Sequence, residues 1–175
     1  MNVEKRFSAE FRAKGRKLEG YAATFGTEAR IADFTEVIRP GAFRGSLGGD
    51  VLALVDHDPA KVLARTKSGT LRLAEDTRGL HFELDLPETT AGHDVLALAE
   101  RGDLGGMSFG FTVPDAGQRW QGDRRELVAV NLHEISVVSS WPAYEGTTVM
   151  ARAKAGASLP SPRLALAKKF METCI

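Results

Sequence analysis

The stretch Gly105-Gly-Met-Ser-Phe-Gly-Phe-Thr-Val113 is the best starting point for deriving the fold of this 175-residue chain. From Met107 onward it alternates large apolar and small side chains, which is the period of two that a β-strand with one buried face requires. The two faces of this strand carry Met107, Phe109 and Phe111 on one side and Ser108, Gly110 and Thr112 on the other. The sequence therefore predicts a strand whose aromatic face anchors it in the core while its serine face carries no bulk.

Other strand-length stretches lie on both sides of this strand, separated by turn residues such as glycine, which occurs 18 times. Val51–Val55 is a continuous apolar run, typical of a buried strand, whereas Leu80–Leu86 alternates between apolar and polar. Pro59 is expected to end the first of these, and Lys67–Gly69 is expected to be the turn of a hairpin. The remaining strand predictions are residues 17–25, 35–38, 62–66, 70–74, 124–130 and 132–138.

Helical signals are few. Thr89 or Thr90 can cap a helix that ends at Gly102, and residues 42–47 can form a single helical turn. About eight strands with one or two helices predict a mainly β (α+β) fold, a closed or nearly closed antiparallel β-barrel with flanking helices. We expect this barrel domain to span residues 1–152, and residues 153–175 to be an Ala/Pro/Ser-rich linker with a short C-terminal tail that can form an amphipathic helix.

Composition and charge exclude several classes of protein. The 23 basic and 23 acidic residues balance, which argues against a strongly basic nucleic-acid-binding protein. No apolar run is long enough to span a membrane, and we expect no signal peptide. Cys174 is the single cysteine, so we expect no internal disulfide and a reducing compartment. Metal-binding and nucleotide-binding motifs are absent from the sequence, so we expect no metal and no cofactor.

Ser108 and His57 are the candidates for nucleophilic catalysis. Serine needs a base to take its proton and donors to hold an oxyanion, and the two glycines before Ser108 let the backbone approach a substrate closely. His57 follows the buried strand Val51–Val55, and strand alternation predicts that it lies on the same side as Val51, Ala53 and Val55. A base held at the rim by a rigid strand would be well positioned.

Glu134 is the candidate for the residue that orients the histidine. Alternation along the predicted strand puts it on a partly apolar face with Leu132, Ser136 and Val138, where a carboxylate needs a partner. The N–H of a histidine ring would be such a partner. His133 is expected to point the opposite way and is the competing choice.

Six short stretches together resemble one protein family, the prohead (capsid maturation) serine proteases of tailed bacteriophages, which are related to the herpesvirus assemblins. The resemblance covers roughly residues 17–150. Its stretches, in chain order, are Glu36–Phe43, Ala53–Pro59, Ser68–Leu80, Gly106–Phe111, Glu134–Val138 and Pro142–Tyr144.

The resemblance implies an assemblin-like barrel and a serine endopeptidase whose catalytic residues fall on His57, Ser108 and Glu134. It further implies that the substrates are scaffold segments of the major capsid protein, and that the protein's own tail is a further candidate. The expected location is the immature prohead in the host cytoplasm, with no membrane and no nucleic acid as partners. The dependence of the herpesvirus relatives on dimerisation makes a homodimer a further candidate.

Three other functions are compatible with a barrel of this kind. A non-catalytic barrel that assembles the capsid or binds its scaffold is the main alternative. An esterase could use the same three residues, although the sequence lacks the GxSxG elbow of the usual esterases. A nucleic-acid-binding barrel could use the basic clusters at Arg12–Lys17 and Arg124–Arg125, but the zero net charge argues against it.

Overall fold

Strands dominate the protein, whose computed structural model describes residues 3–8 and 10–139. These ranges contain thirteen strands, one α-helix and a short 3₁₀ turn at Arg44–Ser46. The helix α1 spans Thr90–Arg101. The strands are β1 (Glu4–Ser8), β2 (Glu10–Lys14), β3 (Lys17–Thr24), β4 (Glu28–Ile31), β5 (Phe34–Ile38), β6 (Leu52–Val55), β7 (Asp58–Arg65), β8 (Leu71–Glu75), β9 (Gly79–Asp85), β10 (Gly106–Thr112), β11 (Gln118–Gln121), β12 (Arg124–Leu127) and β13 (Asn131–Val138).

The described strands pair into three sheets. Their orders are β1-β10-β13-β6-β7, β11-β12-β5-β4 and β2-β3-β9-β8. Most neighbours are antiparallel, but β13 pairs with β6 and β12 pairs with β5 in parallel. The mainly β class is therefore confirmed. The closed or nearly closed antiparallel barrel is not, because the pairing is divided among three sheets and includes these two parallel contacts.

All three sheets contribute to one hydrophobic core. Phe82 from β9, Leu127 from β12 and Phe109 from β10 are all almost fully buried in it. The ring of Phe109 packs against Phe43 with 5.6 Å between ring centroids and against Phe111 with 5.2 Å. The alternation predicted for β10 is confirmed, since its large side chains anchor the middle of the five-stranded sheet.

The helix begins and ends as predicted. The side-chain oxygen of Thr89 accepts a hydrogen bond from the Gly92 N–H, and Gly102 adopts a left-handed conformation with φ of 75° that few residues other than glycine tolerate. Within the described part of the chain, no helix is long and apolar enough to cross a membrane.

Two of the predicted turns are wrong. Pro59 lies inside β7 rather than ending a ladder, which is tolerated because β7 is an edge strand. Lys67–Gly69 does not join a hairpin, because β7 pairs with β6 whereas β8 pairs with β9. The Gly69 N–H instead donates to the Thr66 carbonyl in a tight turn that takes the chain from one sheet to another.

Several element boundaries differ from the expectation. Strands β1, β2, β4 and β11 were not predicted, and β12 ends at Leu127 instead of continuing to residue 130. The predicted boundary near residue 152, the tail at 153–175 and the stretch Pro142–Tyr144 lie outside the described residues.

Candidate active site

Ser108 lies on β10, an interior strand of the five-stranded sheet, and is 4% exposed. Its backbone is opposite Phe7 of β1 on one side and Ser136 of β13 on the other. Directly opposite residues of an antiparallel pair project from the same face of a sheet, so Ser108 and Ser136 share a face. This face is opposite to the one that carries Phe109 into the core.

His57 is part of a two-residue turn rather than of a strand. Asp56 and His57 connect β6 to β7 and both have positive φ, 49° and 61°, the combination that a type I′ hairpin turn requires. Asp56 fixes the turn from outside, since its carboxylate accepts hydrogen bonds from the Ser139 N–H at 2.8 Å and from the Ser139 hydroxyl at 2.7 Å. Strand alternation therefore does not apply to His57, and the expectation that it lies on the side of Val51, Ala53 and Val55 is wrong.

The positive φ values of this turn are unusual because both residues carry side chains. A left-handed conformation strains a residue with a Cβ, and such strain is tolerated only where the surrounding structure holds it. Here the Asp56 N–H donates to the Val137 carbonyl, and the His57 N–H donates to the Ser136 hydroxyl at 3.2 Å. The turn thus holds His57 against β13.

Glu134 contacts the ring of His57 directly. Its Oε1 lies 2.7 Å from Nδ1 of the histidine, and its Oε2 accepts a hydrogen bond of 2.6 Å from the Ser136 hydroxyl. A carboxylate only accepts hydrogen bonds, so Nδ1 carries a proton and the Nε2 of a neutral ring keeps its lone pair. The ring is thereby held in the tautomer that a general base needs.

A β-bulge decides which way Glu134 points. Gly110 is opposite Glu134 in the sheet, but the next residue, Phe111, is opposite Leu132, so His133 is the extra residue on β13. Leu132 consequently packs in the core while Glu134 lies on the face of Ser108 and Gly110. The expectation that Leu132 and Glu134 share a face is wrong, because it assumed an unbroken alternation.

His133 does not contact His57. Its Nε2 lies 3.0 Å from the hydroxyl of Thr112, which by strand alternation is on the same face of β10 as Ser108. The expectation that His133 points the opposite way is therefore wrong, for the same reason, since a bulge brings two successive side chains toward one side. Of the two competing residues, Glu134 is the one that bonds the histidine.

Gly110 provides the space that Glu134 occupies. A Cβ built on Gly110 would lie 2.3 Å from Oε1 of Glu134, which is far inside any ordinary contact distance. The observed position of the Glu134 carboxylate therefore depends on a glycine two residues after the serine. The sequence showed a small residue here but gave no sign that a carboxylate fills the space above it.

A buried cluster of four charged residues connects β1 to β5 and β12 of the second sheet, and sequence reasoning missed it. Arg6 of β1 donates to both carboxylate oxygens of Glu36 at 2.5 and 2.8 Å, and Arg125 donates to Glu36 at 3.0 Å and to both oxygens of Glu4 at 2.6 and 2.8 Å. Burial alone would raise the pKa of Glu4, but the bonds and charges of Arg125 and Arg6 together lower it below its ordinary value. Burial alone would likewise lower the pKa of Arg125, but its bonds and charge interactions with Glu4 and Glu36 raise it.

Metal ligands were not expected from the sequence. Among residues 3–8 and 10–139, no group of three or more His, Cys, Asp or Glu side chains is arranged to hold a metal ion. The described side chains on this face of the sheet supply the hydroxyls of Ser108, Ser136 and Thr112, the carboxylate of Glu134 and the imidazoles of His57 and His133.

Comparison with known proteins identifies the family. A sequence model described as caudovirus prohead serine protease matches residues 3–161, which include all thirteen strands. Searches of curated proteins and of solved structures gave no significant match. The relation to herpesvirus assemblins stays a prediction. The family match makes the protein a peptide hydrolase of phage capsid maturation that interacts with capsid or scaffold proteins in the prohead inside the host cell. The chain therefore belongs to the caudovirus prohead serine protease family.

Proposed function

We propose that Ser108, His57 and Glu134 form the catalytic triad of this protease, and that its substrates are the scaffold segments of the major capsid protein. The observation that supports the assignment most directly is the 2.7 Å contact between Nδ1 of His57 and Oε1 of Glu134. Both groups are largely buried, with side-chain exposures of 16% and 11%. A buried carboxylate and imidazole in direct contact, on the serine face of the sheet, match what a serine hydrolase requires.

The three residues reach one face of the sheet through three neighbouring strands. β13 lies between β10 and β6, so the strand of Glu134 pairs directly with the strand of Ser108 and with the strand that leads to His57. Ser108 is opposite Ser136, whose hydroxyl in turn bonds the Glu134 carboxylate. Strands of one sheet are rigid supports, which is what the geometry of a triad demands.

In the proposed reaction, the Oγ of Ser108 attacks the carbonyl carbon of the scissile peptide bond while Nε2 of His57 takes the hydroxyl proton. Glu134 accepts the Nδ1–H bond throughout and stabilises the positive charge that develops on the ring. His57 then gives its proton to the leaving amine, which breaks the peptide bond and leaves an acyl-enzyme. A water molecule, deprotonated by the same histidine, hydrolyses the ester and restores Ser108.

The proposed substrates are the scaffolding segment of the major capsid protein and the protein's own linker between residues 153 and 163, which is rich in Ala, Pro and Ser. Small and polar residues are common at preferred sites of proteolysis. Cleavage takes place inside the immature prohead in the host cytoplasm, and the active form is a homodimer.

Co-expression with the cognate capsid protein tests the triad. The wild-type protein should shorten the capsid protein, while Ser108→Ala and His57→Ala should leave it intact. Ser46→Ala and His93→Ala are matched controls, since the Ser46 hydroxyl bonds the Val130 carbonyl and the Leu132 N–H rather than a residue of the proposed triad, and His93 lies on α1. Equal cleavage by the wild type and the Ser108→Ala variant would rule out Ser108 as the nucleophile.

A second assay tests Ser108 as the nucleophile without using the capsid protein as substrate. A fluorophosphonate should label the wild type at Ser108 and should leave Ser108→Ala unlabelled. Intact-mass measurements of both proteins test self-cleavage, which is expected only in the wild type. An identical mass for both, under conditions in which the capsid protein is cut, would contradict cleavage of the tail while leaving the triad supported.

A further inference from the structure

The hydroxyl of Ser136 lies between the two residues of the proposed triad that touch each other. It donates to Oε2 of Glu134 at 2.6 Å and accepts the backbone N–H of His57 at 3.2 Å. The histidine ring completes this set of hydrogen bonds, because its Nδ1 contacts the other oxygen of the same carboxylate at 2.7 Å. The result is a closed hydrogen-bonded ring made of the His57 backbone, Ser136, Glu134 and the His57 side chain.

The direction of each bond in this ring is fixed by chemistry. A carboxylate has no proton to give, so Ser136 must donate to Glu134, and its single proton is thereby committed. Its lone pair is then free to accept from the His57 N–H. One hydroxyl thus fixes both the orientation of the carboxylate and the position of the strained turn that carries the histidine.

Burial restricts Ser136 to this role. The residue is fully buried, at 0% exposure, and its backbone lies between those of Ser108 and Leu54 in the sheet. It therefore has no access to a substrate. Any effect of Ser136 on the reaction has to pass through Glu134 and His57.

We infer that Ser136 is a positioning residue of this protease, which holds the Glu134 carboxylate and the His57 turn in the mutual geometry that makes His57 a general base. This inference rests on the proposed triad. A positioning role predicts that loss of the hydroxyl lowers kcat and leaves KM unchanged, since substrate binding does not involve Ser136. We expect a fall in kcat of about tenfold for Ser136→Ala, the effect of one lost charge-assisted hydrogen bond.

Two variants separate hydrogen bonding from packing. Ser136→Ala removes the hydroxyl and leaves a small void, whereas Ser136→Cys fills the space with a thiol that is only a weak donor. Both should lose kcat. Wild-type kcat in Ser136→Cys would show that the side chain only fills space, and it would overturn the inference.

Ser46 offers a matched control. It is also a buried serine whose hydroxyl makes one donated and one accepted bond, to the Val130 carbonyl at 2.6 Å and from the Leu132 N–H at 2.9 Å. Ser46→Ala should lower thermal stability as Ser136→Ala does, with unchanged kcat. An equal loss of kcat in both variants would assign Ser136 a merely structural role and contradict the inference.

Proton NMR provides a readout that does not depend on activity. The Nδ1 proton of His57, held by a carboxylate, should give a far-downfield resonance in the wild type that is absent from His57→Gln. We expect this resonance to be weakened or lost in Ser136→Ala and retained in Ser46→Ala. An unchanged resonance in folded Ser136→Ala, or none in the wild type, would refute the positioning role.

The same resonance distinguishes failure of the proposed triad from failure of the positioning role of Ser136. Cleavage that does not depend on Ser108 would refute the proposed triad, and the NMR comparison would then decide alone whether Ser136 orders the His57–Glu134 contact. Ser108-dependent cleavage that is insensitive to Ser136→Ala would preserve the triad and refute only the role of Ser136.

Discussion

Substitution of Gly110 by alanine should impair catalysis while preserving the fold. The added Cβ would lie 2.3 Å from Oε1 of Glu134, the atom that contacts His57. The carboxylate has to retreat by about 1 Å to reach an ordinary carbon–oxygen separation. If it moves away from the ring, the contact with Nδ1 lengthens from 2.7 Å to about 3.7 Å, beyond hydrogen-bond distance.

The expected size of the effect follows from that displacement. A misplacement of about 1 Å in a catalytic group lowers kcat/KM by roughly 10²-fold. The loss in the free energy of unfolding should be only about 1–2 kcal/mol, because the colliding atoms belong to a side chain that can rotate away. Activity should therefore fall far more than stability does.

The assay measures kcat/KM for cleavage of the capsid scaffold segment, together with the midpoint of urea unfolding. Gly48→Ala is the matched control, since a Cβ at Gly48 meets nothing within 4 Å. A folded Gly110→Ala protein with kcat/KM within threefold of the wild type would refute the reasoning. Failure of this variant to fold would also contradict it, because the collision would then be borne by the backbone rather than by the carboxylate.

Three further predictions concern other residues. Glu134→Gln should lower kcat by roughly 10³-fold without unfolding the protein, because an amide can donate to Nδ1 of His57 and select the wrong tautomer of the ring. Steady-state cleavage kinetics measure kcat, and a loss of less than tenfold would contradict the prediction. Glu4→Gln should be less stable than the wild type at about pH 6, and this difference should be smaller at about pH 3. The pKa of Glu4 is lowered on folding, so its carboxylate contributes fully above the ordinary value of 4.5 and loses that contribution as the pH falls through the lowered value. Urea unfolding at both pH values measures the difference, and a constant difference would rule out charge as its cause. Phe109→Ala should reduce the free energy of unfolding by about 3–5 kcal/mol, because its ring is buried in the core. Trp120→Ala should reduce it by much less, since Trp120 is 42% exposed. Equal losses of stability in thermal unfolding would contradict the assigned core.

The sequence led to the contact between Glu134 and His57 but not to the backbone geometry around these two residues. Ser108 could be assigned to the face opposite Phe109 because large and small side chains alternate along β10, and in the structure Phe109 packs in the core while Ser108 lies opposite Ser136. Glu134 could be singled out because a carboxylate among apolar residues needs a partner, and the structure supplies His57 as that partner. Both arguments used only local patterns, which are what a single sequence records well.

Local sequence patterns could not predict the backbone conformation around His57 and Glu134. A type I′ turn favours a glycine at its second position, as in Asn-Gly or Asp-Gly, so the pair Asp56-His57 did not identify this two-residue turn. The bulge at His133 has no glycine either, and it reverses the face of Leu132 relative to a regular strand. Tertiary contacts with β13 and β10 override local preference at both places.

The missed strands have a related cause. Residues 4–8 have a charged composition that is typical of a solvent-exposed terminus, so β1 was not expected. Its stability depends on partners far along the chain, since Glu4 bonds Arg125, 121 residues away. No local window of sequence contains that information.

The position of β13 between β10 and β6 has a consequence for the timing of activity. A nascent chain that has not yet emerged from the ribosome as far as residue 131 contains Ser108 on β10 and His57 in the turn after β6. These two strands are not neighbours, and β13, which lies between them, is still missing. With the proposed triad, translation must deliver nearly the whole folded domain before any peptide bond can be cut. With the proposed triad, the order of the strands would delay proteolysis until enough of the chain has left the ribosome to complete the sheet.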